Sequence, residues 1–241
     1  MKYLIKTLGG STAYGLNTPE SDLDHRGVFM NTDVDKILGL SRFDCIQKQE
    51  TEDEVYYEVR KFFELLRDGN TGALEILFSD PINYLMLDAS FAAVIDNRHQ
   101  FVDTEKMFHC LLGYIQSERR LANGERTGQL GGKRKAQLDL YGFSPKNFVQ
   151  LFRLCWAGTV LFETGEFPVH VASRDAEMHN LLFSIKTQPR NFTKDQLNLM
   201  VDEREVAFKQ SFENRKVTRT FNLDLANEML RRLYAPFVTV K

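Results

Sequence analysis

The chain opens on a short β-prone run, Lys2 to Leu8, centred on Tyr3-Leu4-Ile5 and stopped by Gly9-Gly10. A second strand is predicted over Leu23 to Met30, with Val28 and Phe29 as its apolar part. A third covers Asp53 to Val59, where Val55, Tyr57 and Val59 share one face at period two. Then the period lengthens. Phe62, Leu65, Leu66 and Gly69 follow helical spacing, and Asp68-Gly69-Asn70 supplies the stop. Ala73 to Phe78 predicts a further short helix closed by Asp80-Pro81.

From about Ile82 the pattern is helical. Phe91, Val94, Phe101, Met107, Leu111, Leu112 and Ile115 recur at helix-like intervals, and Asn123 to Lys135, broken by three glycine-bearing pairs, predicts a loop. A long helix is expected from Ser144-Pro145, with Ser144 as N-cap, to Gly165. Others are expected near Asp175 to Ile185, Thr193 to Arg215 and Asn222 to Leu233. The pattern divides the chain into a mixed α/β part, residues 1–80, and a helical part, residues 81–241, with no internal repeat.

Composition narrows the classes. With 241 residues, 43% of them hydrophobic and 19 of them Phe, the chain can bury a proper core. A net charge of −2 excludes a wholly basic nucleic-acid binder but leaves room for a local basic groove. No run approaches the ~20 apolar residues of a membrane span, and Met1 to Lys6 lacks the apolar core of a signal peptide. Cys45, Cys110 and Cys155 form no Cys-x-x-Cys pair, which fits neither a disulfide framework nor a zinc ribbon. The expectation is a cytoplasmic protein with no membrane partner.

The candidate chemistry lies in Gly9-Gly10-Ser11-Thr12-Ala13-Tyr14-Gly15, followed by Ser21-Asp22-Leu23-Asp24-His25-Arg26-Gly27. A Gly-Gly-Ser turn can offer backbone N–H groups and a hydroxyl to a phosphate. An Asp-x-Asp pair on an extended segment sends both carboxylates to one face, about 6.5–7 Å apart. That spacing suits one or two Mg²⁺ ions, which activate an attacking hydroxyl and neutralise a leaving pyrophosphate. Either pattern alone is common in surface turns. Their order and their position between two predicted strands point to a metal–triphosphate site.

These residues resemble the nucleotidyltransferase signature of the DNA polymerase β superfamily. The longer string, from Gly10-Ser11 through Asp22-x-Asp24 to Arg26-Gly27-Val28-Phe29, is similar to the branch that includes RNA-ligase-associated, RNA-repair members. Tyr57 to Phe62 and Asn70 to Leu77 resemble further segments of that branch, with Thr71 in place of its Pro. The helical half matches loosely at Gly113-Tyr114, Gln116-Ser117, Tyr141-Gly142, Lys146 and Arg153, and Gln150 stands where members often carry His.

The resemblance implies an α+β fold, with an N-terminal polymerase-β-type domain (a mixed sheet with flanking helices) followed by an all-helical domain that completes the cleft. It implies Asp22, Asp24 and a third carboxylate as catalytic metal ligands for Mg²⁺, with Mn²⁺ as a substitute. Asp53 is favoured as the third over Glu54 and Glu58, which lie on the opposite strand face. Gly10, Ser11, Arg26, Lys61 and Lys146 are the candidate nucleotide contacts, although Arg26 can equally pair with Asp22 or Asp24. His25 should point away from the metals and be structural.

The implied reaction is Mg-dependent transfer of an NMP from an NTP to an acceptor hydroxyl, with pyrophosphate released. An RNA or tRNA 3′ end is the first candidate acceptor. It draws on the branch and on the basic segment with Arg119, Arg120, Arg126, Lys133, Arg134 and Lys135, which equally reads as a solvated loop. A protein or small-molecule hydroxyl, or a non-catalytic nucleotide-binding module, are the alternatives. Oligomeric state is not legible.

Overall fold

The computed structural model describes residues 1–49, 53–125 and 132–238. Along the chain run β1 (Lys2–Leu8), α1 (Gly10–Ala13), β2 (Asp24–Met30), α2 (Val34–Leu38), β3 (Cys45–Gln49), β4 (Asp53–Glu58), α3 (Val59–Arg67) and α4 (Thr71–Leu77). There follow β5 (Tyr84–Leu87), α5 (Ala89–Asp96), α6 (Thr104–Ala122), α7 (Gly132–Tyr141), α8 (Pro145–Thr164), α9 (Ala176–Thr187), α10 (Lys194–Glu213) and α11 (Leu223–Tyr234). The fold is α+β, as the resemblance implied. Two compact units emerge, residues 1–107 with 219–241, and residues 108–218. The first unit therefore reaches past residue 80 and recovers the last helix of the chain.

The first unit is built on a five-stranded mixed sheet of order β3-β4-β2-β1-β5. Among the described residues only β2 and β4 run parallel; their register sets Asp24 beside Asp53 and Phe29 beside Glu58. In β4 the buried positions are Tyr56 and Glu58 rather than Tyr57, and Val59 already belongs to α3. The strand does alternate, but its buried face is the one that carries Tyr56 and Glu58, opposite to the face of Val55 and Tyr57. Tyr56 packs edge-on against Tyr3, ring centroids 5.1 Å apart, and the Lys6 ammonium lies 3.8 Å from the Tyr3 ring centre.

The helical side of this unit is aromatic. Phe62 meets Phe91 at 6.0 Å, Phe63 meets Phe101 at 5.0 Å, and Phe101 meets Phe221 at 6.0 Å. Each fully buried Phe contributes roughly 2–3 kcal/mol, so these pairs fasten α3, α5 and the chain's returning end to one core. Asn70 caps α4 by accepting from Ala73 N at 2.9 Å.

Two segments depart from the expected pattern. Tyr84–Leu87 is a strand, paired antiparallel to β1 at the sheet edge. Gly132–Lys135 opens α7 rather than ending a loop, because the run from Lys133 to Leu140 is made largely of strong helix formers.

The second unit is helical. Helix α8 is apolar on most sides, as a helix at the centre of a core must be. Gly158 lets α10 come close, since a Cβ there would stand 2.5 Å from a ring carbon of Phe208. Phe108 stacks on Phe212 at 3.9 Å beside it. Ser144 precedes α8, but its hydroxyl bonds the Asn147 side chain at 2.6 Å instead of the helix backbone. Thr193 and Gln196 form a full capping box on α10. Among the described residues, no helix is long and apolar enough to cross a membrane.

Candidate active site

The glycine turn lies directly on the start of β2. Gly9 N donates to Asp24 O at 2.8 Å. Gly10 has φ +54, and a Cβ there would fall 1.8 Å from Asp24 Oδ2. A Cβ at Gly9 would meet Arg26 Cγ at 2.7 Å. Both glycines are therefore steric requirements of the approach between turn and strand.

Buried polar groups fix the turn from below. Asn83 Nδ2 donates to Ala13 O at 3.1 Å, and Thr7 Oγ1 donates to Asn83 O at 3.1 Å. Thr7 also shares a 2.6 Å hydrogen bond with Ser79. Tyr14 donates to Glu75 Oε2 at 3.0 Å. Thr7, Ser79 and Asn83 escaped the sequence reading, because single polar residues in apolar stretches carry no periodic signal.

Asp24 and Asp53 sit side by side at the same end of the parallel pair, and Arg26 shares their sheet face two residues on. Its guanidinium holds Asp53 at two points: Nη2 to Oδ2 at 2.9 Å and Nη1 to the backbone O at 2.9 Å. Nη2 is also 3.6 Å from Asp24 Oδ1, so one cation lies against two carboxylates. Asp53 Oδ1 is shielded from solvent and has no hydrogen-bond partner among the described residues. Asp22 is exposed and lies outside the strand. It follows a tight turn in which Thr18 N donates to Ser21 Oγ at 2.9 Å.

Strand parity separates the other carboxylates. Glu54 faces away, 3.8 Å from His25 Nδ1 and 3.6 Å from Lys48 Nζ. Glu58 is 1% exposed at the far end of β4. There it accepts from Asn31 N at 3.4 Å, Arg60 N at 2.9 Å and the Tyr234 hydroxyl. Burial first, and then the Glu58 carboxylate, push the Tyr234 phenol pKa up. Glu58 is a buried joint of the first unit.

The remaining candidates are dispersed. Lys61 is in the first turn of α3, beyond the Glu58 end of β4, with its ammonium 3.9 Å from Glu64. Lys146 is exposed on α8, in the second unit. Arg126 lies outside the described residues, and Lys133 to Lys135 open α7, with Lys135 exposed. Arg119 is engaged by Asp202 at 2.7 Å and Glu205 at 3.2 Å, which removes it from any free basic surface. Gln150 Nε2 donates to the Tyr114 hydroxyl at 3.2 Å, and Arg153 Nε donates to Gln150 Oε1 at 3.1 Å, so three motif positions of the helical half meet.

The donors suit a hard divalent cation in kind. They are all carboxylate oxygens, and the shielded Asp53 Oδ1 lacks a donor. In number they fall short of a finished cage: among the described residues, no three His, Cys, Asp or Glu side chains are gathered to hold a metal ion.

Comparison with known proteins gives the family. A protein of Enterobacteria phage T4, described as an uncharacterized 38.9 kDa protein in the nrdC-mobD intergenic region, is 29% identical over 129 residues. That match covers 49% of this chain but only 38% of the phage protein. The family model described as RlaP, RNA repair pathway DNA polymerase beta family, matches residues 1–232. From the first strand to the last helix, the chain belongs to the RNA repair pathway DNA polymerase beta family.

Proposed function

We propose that this chain is a nucleotidyltransferase that moves an NMP from an NTP to an acceptor hydroxyl, with an RNA or tRNA 3′ end as the acceptor. The observation that carries the reading is the register pairing of Asp24 with Asp53 directly beneath the Gly9-Gly10 turn. Asp24 and Asp53, with Asp22 from the preceding turn, would hold Mg²⁺, or Mn²⁺ in its place. Such an ion, when bound, supplies neutralisation of phosphate charge and activation of a hydroxyl.

The chain's own contribution is placement. Gly10 and Ser11 receive the triphosphate, because the absence of a side chain at position 10 lets backbone approach closely. The Thr7–Ser79–Asn83 bonds keep that turn from relaxing, which preserves alignment for in-line attack. Arg26 offsets the repulsion between the two carboxylates before substrate arrives. The acceptor oxygen then bonds to the α-phosphorus as the bond to pyrophosphate breaks. An RNA acceptor is supported by the family's RNA-repair description and by the basic residues at the start of α7.

The test is incubation with each labelled NTP and Mg²⁺, with and without total RNA, followed by separation of RNA from protein. Label in RNA that disappears with Asp24→Asn supports the reading. Label in protein or in a small molecule replaces the acceptor. Nucleotide binding with no transfer to any acceptor leaves a binding module.

A further inference from the structure

We infer that Arg26 is a built-in counter-cation that competes with the divalent metal for the Asp24–Asp53 pair. The inference rests on the proposed role of those two carboxylates as metal ligands. Its own evidence is geometric. The guanidinium is anchored to Asp53 through both a carboxylate oxygen and the backbone oxygen, each at 2.9 Å, and reaches Asp24 Oδ1 at 3.6 Å. A further hydrogen bond from Nη1 to His25 O at 3.0 Å fixes its pose. One planar cation thus spans both carboxylates.

Two consequences follow from charge alone. A divalent ion shared by Asp24 and Asp53 must displace the guanidinium or tolerate a positive charge within a few ångströms. The pair is therefore kept from binding metal tightly until something else takes the arginine. A triphosphate, with several negative oxygens, is the partner that planar fork suits best. Nucleotide that draws Arg26 aside would vacate the carboxylates for metal, so nucleotide and metal would favour each other's binding. Arg26 is in this sense a positioning residue that sets the order of loading.

The full-length protein without nucleotide provides the test, with Mn²⁺ alone as the probe and free Mn²⁺ followed by electron paramagnetic resonance. Arg26→Gln is expected to tighten Mn²⁺ binding about tenfold, the size expected from removing one positive charge roughly 5 Å from a divalent ion even in high dielectric. It should also enlarge the rise in melting temperature on adding Mn²⁺. A merely structural arginine predicts the reverse, since losing it would disorder the ligands. Mn²⁺ binding by Arg26→Gln that is equal to or weaker than wild type overturns the inference. Should that variant not fold, Arg26→Lys carries the test. Its ammonium cannot grip Asp53 at two points, so Mn²⁺ should again bind more tightly, by a smaller factor, and equal or weaker binding overturns the inference. Asp24→Asn and Asp53→Asn separate the two levels. Both should lose Mn²⁺ binding; if neither does, the metal reading itself falls and takes this inference with it.

Discussion

The Tyr14 hydroxyl donates to Glu75 Oε2 at 3.0 Å across 61 residues of chain. This bond joins the glycine-turn motif to α4, two segments far apart in the sequence. Asn83, which grips Ala13 O from the other side, makes the turn a held object rather than a free loop.

Tyr14→Phe should therefore destabilise the first unit by about 1 kcal/mol, the usual net worth of such a bond. Glu75→Ala, which removes the acceptor, should cost at least as much. The double variant should cost clearly less than the sum, and denaturant titration of the four proteins reads the coupling. Simple additivity would mean that the two side chains act independently.

Gly10→Ala combines a left-handed backbone with a Cβ aimed 1.8 Å from Asp24 Oδ2. We expect a loss of roughly 1–3 kcal/mol of stability and nearly complete loss of nucleotidyl transfer. Gly15→Ala, also at positive φ (+71) but beyond α1, should share the strain while retaining far more activity. Thermal melts alongside transfer assays check both.

Asp53 and Glu58 stand on one strand but should fail differently. Glu58→Ala leaves Asn31 N, Arg60 N and the Tyr234 hydroxyl without their acceptor. It should cost about 3 kcal/mol of stability. Asp53→Asn should leave the fold nearly intact while cutting transfer roughly a hundredfold or more, as loss of a charge-stabilising group commonly does. Folding and turnover measured on both variants decide it; a fall in turnover without loss of stability in Glu58→Ala would move Glu58 into the site.

Asp88 supplies a pH handle. Hydrogen bonds from Lys2, at 2.8 Å, and from Ser90 lower its pKa to about 2. The folded value lies below that of an unfolded Asp, near 3.9. Its contribution is thus fully present above that unfolded value and is lost as pH falls through about 2. Asp88→Asn keeps the Ser90 cap but not the charge, so acid unfolding profiles should be flatter over that interval. Carboxyl NMR titration should place the wild-type midpoint near the same pH.

For the acceptor, neutralising Lys133, Arg134 and Lys135 together should weaken RNA binding across sequences. With about 0.7 per phosphate contact, the slope of log affinity against log salt should flatten by about 2. Parallel slopes for variant and wild type would remove the start of α7 from RNA binding and favour another acceptor.

How much of this was legible beforehand follows from where each signal resides. β1 was readable to the residue, because a compact apolar run ends at two glycines. Gly10, Asp24 and Asp53 were readable as candidates, and parity alone separated Asp53 from Glu54 and Glu58. β3 and β5 were not. The Tyr-Leu-Met-Leu of β5 lacks alternation, and it is a strand only because β1 offers it an edge. Asp22 looked like Asp24's equal in sequence, yet it precedes the strand and is exposed. The position of Lys61 was hidden for the same kind of reason. Its place depends on where β4 ends, and that is a property of the fold, not of the local pattern.

The return of the chain to its first unit bears on how it is synthesised. Residues 108–218 are contiguous and form one compact unit, all of it translated before the ribosome reaches α11. The sheet unit has no such independence, because Glu58 waits 176 residues for the hydroxyl of Tyr234. A carboxylate sealed in a core with too few donors is costly. The nascent sheet is therefore expected to stay loosely closed, its glycine turn and carboxylates already translated, until the final helix docks. The helical unit is translated in full by then, so of the two units the one that carries the candidate chemistry is the later to set.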